Sequence, residues 1–234
     1  MLPLTPTTLN GDDDTMIARN LASIRARIAQ ALAGAGRAAG DVTLVAVSKT
    51  NDAAAVAAAM AAGQTVFGEN RVQEAAEKFP RTGATLHIIG GLQSNKVRAA
   101  LGLADCIETL DRPSLADAID KAGAATGRVP DLLVQVNIGD EPQKSGVGLG
   151  QADGFIRAMR ARFGARLVGL MCIPPAFGDS GPYFRRLAAM ADTHGLAVRS
   201  MGMSGDFEAA ILAGATHIRV GSAIFGQRRS SDVT

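Results

Sequence analysis

The run Val42-Thr43-Leu44-Val45-Ala46-Val47-Ser48-Lys49-Thr50 decides how the rest of the chain is read. Nearly continuous apolar and β-branched residues describe a strand covered on both faces, as in a parallel α/β sheet. Alternation along it puts Lys49 on the face of Thr43, Val45 and Val47, with Leu44, Ala46 and Ser48 on the other. If the first face lines a barrel, Lys49 emerges at the strand's carboxyl end, where (β/α) proteins place their chemistry. Partly desolvated there, a lysine has its ammonium form disfavoured and suits nucleophilic attack on an aldehyde. Taken alone, the strand favours a plainer reading, a snorkelling lysine paired with a carboxylate. The remainder of the chain tips the balance.

Downstream the same unit repeats. Asn51-Asp52 caps an alanine-rich helix over residues 53–62 that Gly63 ends. Thr65-Val66-Phe67 leads through Gly68-Glu69-Asn70 into a helix over 71–79; Leu86-His87-Ile88-Ile89 precedes a helix that Ser94 caps. Cys106-Ile107-Glu108-Thr109 is followed by a helix opening at Pro113. Four further strands are read at 131–138, 166–171, 197–201 and 217–220, separated by helices over 151–163, 183–194 and 206–213. Upstream, Ile17, Leu21, Ile24, Ile28 and Leu32 recur at helical spacing among Arg19, Arg25, Arg27 and Arg37, which predicts an amphipathic helix over 14–39. Eight strands alternating with helices, without a long linker, predict an α/β protein: a single (β/α)8 TIM barrel over 14–229 with an extra N-terminal helix. Residues 1–13 read as a disordered tail and 230–234 as a second tail. An open doubly wound sheet is the competing topology.

Composition narrows the function. Hydrophobic residues make up 47% and aromatics 4%, with no tryptophan, so small aliphatic side chains must fill the core. A net charge of +2 without a basic stripe argues against a nucleic-acid partner. Cys106 and Cys172 lack metal-ligand spacing and read as free thiols in a reducing compartment, and His87, His194 and His217 form no zinc pattern. No secretory signal and no membrane-spanning run is seen, which predicts a soluble, cytoplasmic protein without a membrane partner.

Two glycine-rich loops carry the chemistry. Gly202-Met203-Ser204-Gly205-Asp206 follows the seventh strand and Gly221-Ser222-Ala223-Ile224-Phe225-Gly226 the eighth, the positions where (β/α)8 barrels commonly build a phosphate site. Glycines let the backbone approach, free N–H groups favour an anion, Ser204 and Ser222 add hydroxyl donors and Arg219 a permanent charge. With a strand-end lysine, such a cradle fits a phosphorylated carbonyl compound bound as an imine. Pyridoxal phosphate and the sugar phosphate of a Schiff-base aldolase both qualify.

Ordered blocks add to this: Ala46-Val47-Ser48-Lys49-Thr50, Phe67-Gly68-Glu69-Asn70, His87-Ile88-Ile89-Gly90-Gly91-Leu92-Gln93-Ser94-Asn95-Lys96, Val136-Asn137-Ile138 with Lys144-Ser145-Gly146, Gly169-Leu170-Met171, and the two loops with Ser200-Met201 and Arg219-Val220 before them. In these, from about Met16 to Arg229, the chain resembles the pyridoxal-phosphate homeostasis protein family, related in fold to the barrel domain of alanine racemase. The resemblance implies that Lys49 holds pyridoxal 5'-phosphate as a Schiff base, that Ser204, Gly205, Gly221 and Ser222 surround its phosphate, that Arg219 helps hold it and that Asn70 is a polar neighbour. It implies a cofactor-handling role for Lys144 as a second landing site. Two departures stand out. Asn51-Asp52 follows Ser-Lys-Thr where many relatives have a further lysine and a proline, and Gly91 replaces a bulkier residue. Glu69 reads equally as a hydrogen-bond acceptor in the mouth or a helix cap, His87 stays open, and Lys96 reads as solvated.

What the resemblance implies is a non-catalytic carrier that buffers the cofactor and delivers it to apo forms of pyridoxal-phosphate enzymes, with no catalytic and no metal-ligating residue. The alternative is a small amino-acid racemase or lyase. Racemases of that fold set a lysine and a tyrosine on opposite faces of the cofactor, the tyrosine coming from an added domain; here Tyr183 is the only tyrosine.

Overall fold

The structure, a computed structural model, describes residues 11–79 and 83–226. In chain order the described elements are α1 (Gly11–Gly34), β1 (Thr43–Val47), α2 (Ala53–Ala61), β2 (Val66–Glu69), α3 (Val72–Lys78), β3 (Thr85–Ile88), α4 (Val97–Leu103), β4 (Cys106–Leu110), α5 (Pro113–Thr126), β5 (Asp131–Asn137), β6 (Val147–Gly148), α6 (Leu149–Phe163), β7 (Leu167–Cys172), α7 (Gly181–Thr193), β8 (Val198–Ser200), α8 (Phe207–Leu212), β9 (His217–Val220) and α9 (Ser222–Phe225). All strand pairings are parallel, in the order β4-β3-β2-β1-β9-β8-β7-β5. Cys106 on β4 then pairs with Asp131 on β5, which closes the barrel and removes the open-sheet alternative. The two-residue β6 rides on β5 alone.

Strand alternation separates two interiors. Outward-facing Ala46, Phe67, Ile88, Ile107, Val134 and Ile218 merge with Val56, Ala75, Leu101, Ile119, Phe184 and Phe207 from the helices into one continuous apolar layer. Inside the barrel the apolar cluster is small, Cys106, Leu133 and Met171, and the buried polar side chains His87, Glu108, Gln135, Ser200 and Arg219 share the barrel strands with it.

Helix α1 buries the five apolar residues read from its spacing and packs on α2, α8 and α9, where Asn20 Nδ2 donates to the Ile224 carbonyl (2.9 Å). Its limits differ from the expected 14–39. Gly11, Asp12 and Asp13, expected in the tail, open the helix, since Asp12–Asp14 oppose the positive end of its dipole. It stops at Gly34 because Gly34-Ala35-Gly36 is a poor helix former, with Gly36 in the left-handed region (φ +65°). The remaining tail residues, 1–10 and 230–234, lie outside the described residues. Asp52 caps α2 as expected, its Oδ1 accepting from Ala55 N–H (2.9 Å), and Pro113 occupies the first turn of α5. Ser94 caps nothing: it lies in a 3-10 turn before α4 and makes no capping bond.

Candidate functional site

Barrel order decides which loops meet. With β1 flanked by β2 and β9, and β9 by β8, the segments bearing Asn70, Lys49, Gly221-Ser222 and Ser204-Gly205 follow one another round the carboxyl-terminal rim. The two glycine loops converge, with Ser222 Oγ and Ser204 Oγ 3.5 Å apart. A Cβ on Gly221 would lie 3.1 Å from the Val47 carbonyl, so the loop after β9 seats on the very end of β1. Gly202 has φ +92°, and a Cβ there would come within 2.5 Å of Ala210, so only glycine brings this loop down onto α8. Around Gly205 no non-neighbouring heavy atom of the described residues stands within 4 Å of a Cβ position, which leaves the cradle open on that side. The N–H groups of Ser222 and Ala223 open α9 and have no intrahelical acceptor. Two hydroxyls, open backbone donors and close-approach glycines suit the phosphate of the ligand class read from the sequence.

Lys49 departs from its sequence reading. It is exposed rather than partly desolvated, because the ladder ends at Val47 and Lys49 sits in a turn. Nor is it the paired lysine of the plainer reading, since no ion pair engages its ammonium among the described residues. Side chains hold the backbone around it. Lys78 Nζ donates to the Ser48 carbonyl (2.9 Å), Glu74 Oε2 accepts from Thr50 N–H (3.1 Å), and Asn51 Nδ2 donates to the Lys49 carbonyl (3.1 Å). Ser48 Oγ donates to Glu69 Oε1 (2.7 Å), which also pairs with Lys78 Nζ (3.0 Å). Glu69 therefore neither faces the mouth nor caps a helix; it points outward, like Phe67, into the layer beneath α3. Burial raises its pKa, against the opposing pull of Ser48 and Lys78. Thr50 has φ +65°, a rare conformation for a β-branched residue.

Beneath the rim lies the second buried carboxylate. Glu108 Oε1 is 2.7 Å from His87 Nδ1, which must carry the proton because an ionised carboxylate only accepts. Ser200 Oγ donates to Glu108 Oε2 (2.6 Å) and accepts from Arg219 Nη1 (2.7 Å), while Arg219 Nη2 donates to the Cys172 carbonyl (2.9 Å). Desolvation pushes the Glu108 carboxyl up, but His87, Arg219 and Ser200 together outweigh it and hold it at about 2. His217 stacks on His87 with ring centroids 5.8 Å apart, and burial takes its pKa down to about 4. Ligand atoms of His87, Cys106 and Glu108 lie within 4.8 Å of one another, a grouping not read from the sequence. The donor set suits a cation poorly: Glu108 is committed to His87 and Ser200, Arg219 adds a positive charge 3.8 Å away, and burial pushes the Cys106 thiol up.

Of the residues singled out from sequence, the fold brings Lys49, Asn70, Ser204, Gly205, Gly221 and Ser222 to neighbouring rim positions, with Arg219 below them on β9. Asn70 is exposed, and its carbonyl seats against Gly90, where a Cβ would come within 2.4 Å. Lys144 is not brought in. It follows β5, diametrically across the barrel from β1, and its Nζ donates to the Pro174 carbonyl (2.9 Å) and pairs with Glu141. A Cβ at Gly91 would meet no atom of the described residues within 4 Å, so its absence leaves open space there. Tyr183 packs against the apolar layer. Sequence reasoning left out Glu74, Lys78, Glu108 and Ser200; a glutamate inside Cys106-Ile107-Glu108-Thr109-Leu110 was the available signal for one of them.

Residues 19–229 match the family model described as "Alanine racemase, N-terminal domain". The pyridoxal phosphate homeostasis protein of Escherichia coli (strain K12) is 41% identical over 226 residues, covering 91% of this chain and 97% of its own. A structure of an unknown protein from Bifidobacterium adolescentis superposes with TM-score 0.84 at 32% identity, covering 93% of this chain and 98% of that one. PipY of Synechococcus elongatus, solved with PLP bound, does so with TM-score 0.74 at 35% identity, covering 90% and 100%.

Proposed function

Because the chain belongs to the family of pyridoxal phosphate homeostasis proteins, we propose that it holds pyridoxal 5'-phosphate at this rim, as a Schiff base on Lys49, and buffers it or delivers it to apoenzymes. The carrying observation is that Lys49 and both serine-bearing loops occupy consecutive rim positions, the loops themselves converging. When bound, the cofactor supplies a reactive aldehyde and an electron-withdrawing ring.

The chain's own residues divide the work. Lys49 offers an amine unencumbered by an ion pair among the described residues. Ser204 and Ser222 donate hydroxyl hydrogen bonds to the phosphate, Gly205 leaves room for backbone N–H groups to reach it, and Gly221 seats its loop on the end of β1 beside it. Arg219, clamped by Ser200, Cys172 and Glu108, holds a fixed positive charge below and helps retain the cofactor, and Asn70 borders the site on the other side. Two-sided proton transfer needs a second base over the opposite face. Tyr183 packs into the apolar layer, and His87 and Glu108 are engaged with each other, which favours carrying over racemase or lyase chemistry.

Purified protein incubated with pyridoxal 5'-phosphate should absorb as a Schiff base, and borohydride should fix the label on Lys49; Lys49→Ala should lose both. A label on another side chain of the unmodified chain would overturn the assignment. Rapid, selective α-proton exchange of an amino acid into deuterium oxide would replace the carrier by the enzyme.

A further inference from the structure

Lys49 lies beyond the last strand residue, Val47, and next to a left-handed β-branched residue, a conformation that intrinsic backbone preference opposes. Ser48 N–H still donates to the Gly68 carbonyl (3.1 Å), and past that point the sheet provides nothing. The turn closes on itself through one backbone bond, Asn51 N–H to the Ser48 carbonyl (3.1 Å), and one helix adds a bond to each peptide group flanking Lys49: Lys78 Nζ to the same Ser48 carbonyl and Glu74 Oε2 to the Thr50 N–H. These side chains stand one turn apart on α3 and bond to each other (3.3 Å). The helix is anchored in the apolar layer by Val72, Ala75 and Phe79. Glu69, wholly buried, gathers the Ser48 hydroxyl and the Lys78 ammonium on one oxygen, which fixes Lys78 against β1. An ion pair taken out of water is weak evidence of net stability, so its place beside this turn calls for another role.

We propose that Glu74 and Lys78, backed by Glu69, are positioning residues that fix the Lys49 main chain so that its amine meets the carbonyl carbon of a cofactor seated in the phosphate cradle; this rests on the Schiff-base reading above. The route runs from the apolar layer through α3 to the two peptide groups on either side of Lys49.

The test uses the full chain loaded with pyridoxal 5'-phosphate, reduced with borohydride and mapped by mass, alongside the initial rate of Schiff-base absorbance. Glu74→Ala frees the Thr50 N–H; the double variant Glu69→Gln with Lys78→Met removes the pair without leaving a lone buried charge. Each should keep the circular dichroism of the parent and lower the rate of labelling at Lys49 about tenfold, as expected for one charge-assisted hydrogen bond, with label spreading to other lysines. Lys78→Arg should restore most of the selectivity. Parent-like rate and selectivity at Lys49 in both variants would overturn the positioning role while leaving the Schiff base intact. An unmodified chain with no label on Lys49 would remove both.

Discussion

Two glutamates are completely buried within one barrel wall of each other, and their acidities have moved in opposite directions. Glu69 faces outward under α3, where one oxygen takes the Ser48 hydroxyl and the Lys78 ammonium and the other has no hydrogen-bond partner among the described residues. Glu108 faces inward, with His87 on one oxygen and Ser200 on the other, and Arg219 behind. Desolvation acts on both. Two donors reach each carboxylate, so the surrounding charges decide the sign: Arg219 adds its pull to that of His87 at Glu108, whereas Glu74 works against Lys78 at Glu69.

The largest effect should come from the inner network. Glu108→Ala strands Arg219 without a counter-charge and should cost about 3–5 kcal/mol by urea denaturation; a loss smaller than that of Glu69→Ala would break the comparison. Next comes acid. Glu108 is held below its ordinary value, so its contribution is complete above 4.5 and disappears as pH falls through about 2. His217, kept neutral by burial with a pKa of about 4, lets the unfolded chain take up a proton first, so stability falls as pH drops from 6.5 to 4. That histidine alone should remove about 3 kcal/mol across the window, and His217→Gln should flatten the slope. Glu69 carries the reverse slope: raised above its ordinary value, it stabilises at low pH and loses that contribution as pH rises.

Smaller effects sharpen the contrast. Glu69→Gln keeps an acceptor for Ser48 and leaves Glu74 beside Lys78, so it should cost only about 1–3 kcal/mol, measured by denaturation at pH 7. Thr50→Gly should relieve the left-handed strain and, after the greater freedom of the unfolded chain is set against that, gain less than about 1 kcal/mol. A clear loss of stability would show that Thr50 is not under strain.

The outer layer was far more legible than the inner one. Continuous apolar runs and turn glycines placed β5, β9 and the α2 and α5 starts to within a residue or two, because a strand covered on both faces and a capped helix each leave a local pattern. The two-residue β6 left none. The rim loops were visible for the same reason, since their glycines mark the turns themselves. The networks were not: His87 meets Glu108 across 21 residues and Ser200 meets it across 92, and only strand closure sets those partners side by side. Glu69 shows how a short-range reading fails. Its two sequence alternatives were both local, whereas its actual partners come from the residue just past β1 and from the far end of α3.

The bond from Asn20 to the Ile224 carbonyl ties the first described helix to the last one, across 204 positions of chain. On a growing polypeptide α2 can cover part of the apolar stripe of α1 early, but the part that packs on α8 and α9 waits for the last elements to emerge. The helix that begins at Ser222 thus depends, through this bond, on a partner that leaves the ribosome at the other end of synthesis.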